Sequence, residues 1–434
     1  MTHRSFGKAR WLAGCTGLVL ATAALLTGCS AGPAPDTGSA DSGKLLVWTD
    51  ATRQPAVDAY ASAHSDLDVT VVTVDGADLS SKLSLLGRDT ASLPDVVFTP
   101  NGESVVFADK YGYSADLSDL VDKDVLDGFG ATLSACTEDG KIYCLPLDIS
   151  TQMLWYNKSL FDQFGYEVPA TWDDYAALSA QVASEHPGYV TGSCGDTFCP
   201  NVYYRGSNCP GLALDGTNAV IDLGSNPDCT RVTEMLDPLI ADKSVATLSP
   251  FDPDMATLGT GGKVLMLPGF VWYGSVLFHD TFKNEDGIIA AAPLPTWSDG
   301  GKGAGASVGG QWIVGSGSAN PKAAVALVTA MSTDADTLAA AVTFPAYEPA
   351  ASAWIEKAAA SGFYAEDPTE TFTLARSDVT GDLFTPPGFD ILTTFANAVA
   401  PKLKEGSSLS SLIGTWQDAV KQSVTDAGYT PVVK

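Results

Sequence analysis

Apolar, β-branched strands alternate with helical segments near the beginning of the chain, and this alternation limits the possible folds more than any other feature. The predicted strands are 44–49, 68–74 and 94–98, and the predicted helices that follow them are 53–64, 80–88 and 102–110. Strands separated by helices pair in parallel through crossover connections, and the helices cover the faces of the sheet. The sequence therefore predicts an α/β layer structure with a largely parallel sheet.

The rest of the chain continues this pattern less regularly. Thr171 is placed to cap a helix that runs to about residue 185, and the Asn320-Pro321 pair opens a helix to about residue 331. Further predicted strands are 263–267 and 311–314, and the predicted C-terminal helices are 388–404 and 409–427. With 434 residues the chain exceeds one ordinary hydrophobic core, which favours two domains.

The N-terminal segment carries the features of an export and attachment signal. Residues 1–10 are basic, and 11–26 form an apolar run that is shorter than the roughly 20 residues needed to span a bilayer. The following Leu26-Thr27-Gly28-Cys29 resembles the bacterial lipobox, which implies cleavage before Cys29 and lipidation of its sulfur with acyl chains such as palmitate.

We therefore expect residues 1–28 to be a lipoprotein signal peptide and residues 29–43, which are rich in Ser, Gly, Pro and Asp, to be a flexible tether. The mature protein is then exported and held on the extracellular face of the cell membrane, with the lipid bilayer contacted through the lipidated Cys29. The alternative is an ordinary signal peptide in which this cysteine is incidental.

The cysteine content agrees with a location outside the cell. Of the eight cysteines, Cys15 leaves with the signal peptide and Cys29 is lipidated, so six remain. An even number in an oxidising compartment indicates three disulfide bonds, for which fifteen pairings are possible. Closeness in sequence favours Cys136–Cys144, Cys194–Cys199 and Cys209–Cys229. A zinc site is the alternative, although no Cys-x-x-Cys spacing occurs.

Charge excludes one large class of partners. The chain has 24 Lys and Arg against 51 Asp and Glu, which gives a formal net charge of −27. Because such a polyanion repels phosphate backbones, we expect no nucleic-acid partner. The four histidines show no spacing typical of metal ligands, so we expect no metal site and no cofactor.

Residues 139–178 carry the most specific motif in the chain. Their sequence, DGKIYCLPLDISTQMLWYNKSLFDQFGYEVPATWDDYAAL, matches a family pattern at Tyr143, Pro146, Tyr156, Asn157, Gly165, Pro169, Thr171 and Trp172. Weaker matches are the strand–helix–strand opening at 45–76, the strand LPDVVFTP and the helix start at Asn320-Pro321. Together these segments resemble the extracellular solute-binding proteins of carbohydrate ABC importers (family 1, maltose-binding-protein-like).

The resemblance implies a two-lobe periplasmic-binding-protein-like α/β fold with a ligand cleft between the lobes. The lobes would be joined by a hinge of two or three crossing segments, expected at 148–154, 305–312 and 344–349. Lobe 1 would contain 44–148 and 311–345, and lobe 2 would contain 149–310 and 346–434. The implied function is that of a monomeric, non-catalytic receptor that captures a sugar or oligosaccharide by closing around it. It would then deliver this carbohydrate ligand to the permease subunits of an ABC transporter in the membrane.

A sugar-binding cleft needs flat aromatic faces for the C–H surfaces and planar polar groups for the hydroxyls. Such side chains occur at strand ends, in the Gly-flanked aromatic loop 269–274 and at the expected crossings. The candidate ligand-binding residues are Trp48, Asp50, Asp148, Trp272, Tyr273, Gln311, Trp312 and Arg376.

Five of these candidates have a specific structural alternative. Trp48 and Trp272 would pack in the core, Asp50 would cap the next helix, Asp148 would make a hinge hydrogen bond, and Arg376, placed in a loop, would form a surface salt bridge. Tyr156 and Trp172 are expected in the core despite their match to the family pattern.

Three other functions remain open at this stage. A secreted glycoside hydrolase needs a pair of carboxylates, which 51 acidic residues do not exclude, although no strand-end acid signature is visible. The adjacent Tyr203 and Tyr204 are similar to the paired tyrosines of ferric-binding proteins. A polyamine would suit an aromatic box with acidic residues on the same scaffold.

Overall fold

The computed structural model describes residues 43–75, 78–79, 82–83, 93–100, 107–108, 112–209, 211–215, 217–300, 306–377, 379 and 391–434. The predicted signal peptide, Cys29 and the tether up to residue 42 lie outside these residues, as do most of the helices predicted at 80–88 and 102–110. Among the described residues, no helix has the length and apolar character to cross a bilayer.

The strands are short apart from one of ten residues. In chain order they are β1 Lys44–Thr49, β2 Asp68–Thr73, β3 Val96–Thr99, β4 Thr137–Glu138, β5 Lys141–Ile142, β6 Leu145–Pro146, β7 Asp148–Asn157, β8 Gly192–Ser193, β9 Gly211–Asp215, β10 Asn218–Asp222, β11 Val245–Ala246, β12 Met266–Phe270, β13 Ile289–Pro293, β14 Ala306–Val308, β15 Gln311–Val314, β16 Phe344–Pro345 and β17 Thr430–Val433.

Helices connect and cover these strands. The α-helices are α1 Gln54–Ala63, α2 Lys123–Asp127, α3 Lys158–Phe164, α4 Trp172–Glu185, α5 Pro227–Ala241, α6 Pro253–Thr260, α7 Pro321–Thr333, α8 Ala335–Leu338, α9 Glu348–Ala359, α10 Thr369–Ser377, α11 Ile391–Ala398, α12 Ala400–Lys404 and α13 Leu409–Asp426. Gly130–Cys136 and Arg205–Ser207 are 3-10 helices, and Pro200–Tyr204 and Tyr273–Thr281 are π-helical turns.

The first sheet has the strand order β2-β1-β3-β15-β6. Strand β1 pairs in parallel with β2 and β3, as the strand–helix–strand pattern predicts. Strand β15 is antiparallel to both β3 and β6. The sheet is therefore mixed, because β6 and β15 enter it from elsewhere in the chain and not through a crossover helix from a neighbouring strand.

The second sheet is built around the long, buried strand β7. Strands β12 and β13 flank its second half, and β14 and β16 pair with its first residues. All four are antiparallel to β7, so the prediction of a largely parallel sheet is wrong for this part of the chain. The neighbours of β7 come from distant sequence positions, and local alternation cannot indicate their direction.

Passages of the chain between the two sheets meet at the beginning of β7. Leu147 alone separates β6 from β7. Gly309 and Gly310 separate β14 from β15, and β16 pairs with the first two residues of β7. These passages lie at or within the predicted crossings, 148–154, 305–312 and 344–349.

The disulfide pairing predicted from closeness in sequence is confirmed. The bonded pairs are Cys136–Cys144, Cys194–Cys199 and Cys209–Cys229, which removes the zinc alternative. Thr171 caps α4 as predicted, since its hydroxyl accepts the backbone N–H of Asp174 at 3.0 Å. Tyr156 and Trp172 are buried in the core as expected.

Other boundaries differ from prediction for identifiable reasons. The strand predicted at 263–267 begins later, at Met266, because Val264 bridges to Val190 before β12 pairs with β7. The helix predicted at 388–404 is divided into α11 and α12, the second of which carries Pro401 in its first turn. Strand β17 was not predicted, since its pairing partner β10 lies more than two hundred residues earlier.

Candidate functional site

Asp148, the first residue of β7, joins the passages between the sheets. Its side chain is only 3% exposed, and its Oδ1 accepts the backbone N–H of Gly310 at 2.6 Å. Its Oδ2 lies 3.4 Å from Nη2 of Arg53. Burial raises the pKa of this carboxyl above its ordinary value, although Arg53 and the Gly310 N–H act in the opposite direction.

Close packing around Asp148 requires glycine in the segment between β14 and β15. A Cβ atom on Gly309 would lie 1.8 Å from Oδ1 of Asp148, and one on Gly310 would lie 2.3 Å from the ring of Phe98. The sequence Gly309-Gly310 is therefore needed for the chain to approach the carboxylate.

We call the contact region of Asp148 with Gly309 and Gly310 the junction. Arg53 links the junction to the end of β1. Its Nη1 is 3.1 Å from Oδ2 of Asp50, and its guanidinium lies 4.8 Å from the centre of the Phe98 ring. Oδ1 of Asp50 also accepts the backbone N–H of Arg53 at 2.8 Å, in the turn that leads into α1. The Asp50 and Arg53 side chains remain 22% and 23% exposed, so part of this charged pair is open to solvent.

A cavity of about 370 Å³ adjoins the junction and is lined by Arg53, Asp148, Trp312 and apolar side chains of 338–342. Trp312 is 1% exposed, packs 5.0 Å from the Phe98 ring and has no hydrogen-bond partner for its Nε1 among the described residues. Gln311 is fully buried, and its Nε2 donates to the carbonyl of Ala135 at 3.3 Å. Trp312 therefore packs against β3 within the first sheet, and Gln311 joins the start of β15 to the 3-10 helix Gly130–Cys136.

Trp272 belongs to a group of rings that we call the aromatic edge: Phe198, Phe251, Phe270, Trp272 and Tyr273. Trp272 is half-buried, and its Nε1 donates to Oγ of Ser150 in β7 at 3.1 Å. Its ring is stacked with those of Phe270 and Phe251, at centroid distances of 5.6 and 5.9 Å. The Ser150 contact places the aromatic edge two residues along β7 from Asp148.

The rings meet because the three short strands β8, β11 and β12 run in the same direction. Strands β8 and β11 are parallel, and Val190 forms a parallel bridge to Val264 just before β8 and β12 begin. The residues that follow the carboxyl ends of these segments include Phe198, Phe251 and Trp272. Ligands of α/β proteins bind outside the carboxyl ends of the strands, so this edge is a suitable position for a binding surface.

Tyr273 and Arg376 occupy different surroundings from those predicted. Tyr273 is 1% exposed and is a buried member of the aromatic edge, where burial raises the pKa of its phenol well above the ordinary value. Arg376 lies in α10, so its placement in a loop was wrong. Its Nη2 donates to the carbonyl of Ala346 at 3.0 Å, beside β16, and it borders a cavity of about 450 Å³ with Glu348. Burial lowers the pKa of Arg376, and Glu348 acts in the opposite direction.

Of the predicted ligand-binding residues, Trp48 is the one that the structure brings neither to the junction nor to the aromatic edge. It lies in β1, half-buried, and packs against the smaller core cluster that includes the Cys136–Cys144 disulfide and Ile313. Asp50, two residues later, turns toward Arg53. The structure thus gathers Asp50, Asp148, Gln311 and Trp312 at the junction, with Trp272 attached through Ser150 and Arg376 through Ala346.

Comparison with known proteins decides the family. The sequence profile of the bacterial extracellular solute-binding proteins matches residues 47–337. The chain belongs to this family. Among curated relatives, an arabinooligosaccharide-binding protein of Halalkalibacterium halodurans is 28% identical over 275 residues, which are 59% of this chain. A galactooligosaccharide-binding protein of Bacillus subtilis is 30% identical over 176 residues, or 38% of this chain. The matches span 60% and 40% of the length of these two relatives.

Solved structures share the fold of this solute-binding protein over nearly their whole length. The galacto-N-biose/lacto-N-biose I-binding protein of Bifidobacterium longum superposes with a TM-score of 0.74 at 18% identity, covering 90% of this chain and 98% of its own. The GacH receptor of Streptomyces glaucescens superposes with a TM-score of 0.67 at 22% identity, covering 89% and 99%. The fold is therefore the two-lobe α/β fold of these binding proteins.

Sequence reasoning missed three residues of the region: Arg53, Phe198 and Phe251. Arg53 is signalled only by its position directly before helix α1, three residues after the strand-end acid Asp50. Phe198 sits inside the short Cys194–Cys199 loop, and Phe251 lies between two prolines, so each is an aromatic residue in a constrained turn. The Gly-flanked loop 269–274 also places aromatic residues in a constrained turn. Of these three turns, it is the one from which the sequence predicts ligand-binding residues.

Proposed function

We propose that this solute-binding protein is a lipid-anchored, monomeric, non-catalytic receptor that captures a sugar or oligosaccharide outside the cell. It would deliver the ligand to the permease subunits of an ABC importer. The observation that carries the proposal is the half-buried indole of Trp272, fixed by Ser150 beside the junction of the sheets. A flat ring held at a strand edge next to polar groups suits a pyranose, which has apolar faces and hydroxylated edges.

The passages at the beginning of β7 support a division into two lobes. We propose lobe 1 as 44–148 with 311–345, and lobe 2 as 149–310 with 346–434. Asp50 and Arg53 then lie on lobe 1, and Trp272 on lobe 2. A ligand held between these groups would favour closure, because it contacts both lobes only in the closed arrangement.

The relatives named for arabinooligosaccharides and galactooligosaccharides support a carbohydrate ligand for this chain. The iron alternative loses its motif, since Tyr203 and Tyr204 are buried core residues. The hydroxyl of Tyr203 lies 3.1 Å from that of Tyr175, and the hydroxyl of Tyr204 lies 2.9 Å from Oγ1 of Thr233. Burial raises the pKa of Tyr203 to about 12, which opposes the phenolate form that ferric iron prefers.

Ligand-dependent stabilisation tests the ligand class. A bound ligand at a hundredfold excess over its Kd should raise the unfolding free energy by about 2.7 kcal/mol, so the correct saccharides will raise Tm in a thermal-shift panel. Trp272→Ala should abolish the shift, and Trp272→Phe, which keeps a flat ring but lacks the N–H for Ser150, should retain part of it. A shift with spermidine or ferric citrate and none with any saccharide would refute a carbohydrate ligand, and release of nitrophenol from nitrophenyl glycosides would refute a non-catalytic role.

The lipid anchor is tested separately in cells. Wild-type protein should fractionate with membranes, and Cys29→Ser should release it into the medium, because the variant lacks the sulfur that carries the acyl chains holding the protein at the bilayer. Cys15→Ser is the matched control and should leave fractionation unchanged. Equal membrane association of Cys29→Ser and the wild type would contradict the anchor while leaving carbohydrate binding open.

A further inference from the structure

Arg376 is a half-buried cation that lacks a carboxylate partner. Arg53 and Arg231 each lie within 3.4 Å of two carboxylates, as expected in a chain with 51 acidic and 24 basic side chains. Within the described residues, the one hydrogen bond of Arg376 runs from Nη2 to the carbonyl of Ala346, and its Nε is buried without a partner. Because burying a cation without an anion is unfavourable, this guanidinium has donors to offer to a group from outside the chain.

The cavity beside Arg376 is formed by one face each of α9 and α10. Its volume of about 450 Å³ falls within the range of small-molecule sites, roughly 300–1,000 Å³. Thr369, Thr373 and Arg376 follow one another at i, i+4 and i+7, so they share one face of α10. Ser352 of α9 and Ala131 of the 3-10 helix also line the cavity. The walls therefore carry hydroxyl groups beside the guanidinium.

The α9 wall carries the opposite charge. Glu348, Ser352 and Glu356 are spaced by four residues and share one face of this helix. Oε1 of Glu348 lies against Gly130, where a Cβ would come within 2.6 Å of it. Glu348 acts electrostatically on Arg376, but no ion pair joins the two side chains. One wall thus offers carboxylates and the other a guanidinium, and the charges remain unpaired across the cavity.

We propose that this cavity is a second ligand site, which binds a small zwitterion with its carboxylate on Arg376 and its ammonium group facing Glu348 and Glu356. A simple cation would leave the guanidinium without a partner, and the two glutamates would oppose a simple anion. A molecule with both charges satisfies both walls, and an α-amino acid is the smallest of this kind. The inference does not depend on the proposed carbohydrate function.

The site is separate from the aromatic edge. Trp272 of that edge contacts Ser150, whereas Phe372 of α10 packs against Trp155 with ring centroids 6.2 Å apart. Ser150 and Trp155 are five residues apart along β7, so their side chains point to opposite faces of the sheet. Helix α10 therefore covers the face of β7 opposite the Trp272 indole, and Arg376 is assigned to a ligand other than the saccharide.

Equilibrium dialysis of the purified full chain tests the ligand class. The labelled probes are glycine, L-alanine and γ-aminobutyrate, with acetate and ethylamine as single-charge comparators. At least one zwitterion should bind about tenfold more tightly than both comparators. Arg376→Gln and Glu348→Gln should each weaken this binding by about tenfold, because each removes one charged partner, and Arg376→Lys should retain part of it.

Glu370→Gln is the matched control, since Glu370 is exposed on α10 and does not line the cavity. It should leave zwitterion binding unchanged, and Arg376→Gln should keep the saccharide-dependent rise in Tm. Binding of acetate as tight as that of the zwitterions, or no binding of any zwitterion, would overturn the proposal. Loss of the saccharide response in folded Arg376→Gln would place this residue in the saccharide site and overturn it as well. A wild type that binds a zwitterion but no saccharide would support this site and refute the carbohydrate function alone.

Discussion

Asp148 shows at the scale of one residue how a buried charge can be retained because of the groups it satisfies. Its carboxylate is placed where burial opposes ionisation, yet it accepts the Gly310 N–H and lies beside Arg53. Removing the acceptor would leave a buried N–H without a partner, which costs about 1–3 kcal/mol. Replacing the carboxylate by an amide keeps an oxygen that can accept the Gly310 N–H, and Arg53 keeps its hydrogen-bonded ion pair with Asp50.

We therefore predict that Asp148→Ala lowers the free energy of unfolding by about 1–3 kcal/mol, and that Asp148→Asn changes it by less than about 1 kcal/mol. The folded-state pKa of Asp148 is raised, so the folded protein keeps this proton to higher pH than the unfolded chain does. Wild-type stability should then fall relative to Asp148→Asn as pH rises through the interval between the unfolded and folded pKa values. Urea unfolding at several pH values measures the difference in unfolding free energy between the wild type and Asp148→Asn. A wild type that becomes more stable than Asp148→Asn as pH rises would contradict the prediction.

At the same scale, the sequence predicted which side chains the structure brings together better than it predicted the burial of those side chains. Asp148 was predicted from its place at an expected crossing, and Trp272 from the Gly-flanked aromatic loop 269–274. Gln311 and Trp312 were expected to face a ligand and are buried, because β15 is buried along its whole length and offers no alternation to distinguish its faces. Phe251 was missed because its partners are loops that follow other strands.

Among the elements, the disulfide-closed loops differ in the stability they confer. The bonded cysteines are separated by 20 residues in Cys209–Cys229, by 8 in Cys136–Cys144 and by 5 in Cys194–Cys199. Loop-closure entropy gives about 3.3, 2.5 and 2 kcal/mol respectively. We expect Cys209→Ala with Cys229→Ala to destabilise the protein most in denaturant unfolding, and the Cys194–Cys199 pair least. The reverse order would mean that native contacts, not chain entropy, determine these contributions.

The elements themselves were largely predictable where their causes are local. Strand β1, helix α4 with its Thr171 cap and helix α13 appear where propensity and capping place them. The direction of β12 and β13 beside β7 and the pairing of β17 with β10 depend on contacts between distant segments. No local pattern reports such contacts, so the mixed sheet order could be obtained only from the structure.

For the whole molecule, the important relation is between the junction and the aromatic edge, which come from different sheets. Asp50 and Arg53 follow β1 in the first sheet, and Trp272 follows β12 of the second. A ligand shifts the balance between open and closed arrangements only by the difference in its binding free energy for the two. Ligand contacts with the second sheet, present in both arrangements, therefore determine affinity. Ligand contacts that the first sheet adds on closure determine how far the equilibrium shifts toward the closed arrangement.

This division predicts separate effects on affinity and on compaction. Both are measured by small-angle X-ray scattering with a saturating concentration of the saccharide identified in the thermal-shift panel. Trp272→Phe should need more ligand but show the same decrease in radius of gyration as the wild type, since the stacking contact with the ligand is present in both arrangements. Asp50→Asn, which keeps an oxygen for the Arg53 N–H, should compact less even when saturated, because a contact made only on closure is weakened. Unchanged Tm values without ligand would show that both variants are folded. Full compaction of Asp50→Asn together with loss of compaction in Trp272→Phe would reverse the assignment, and would mean that the second sheet provides the contacts that drive closure.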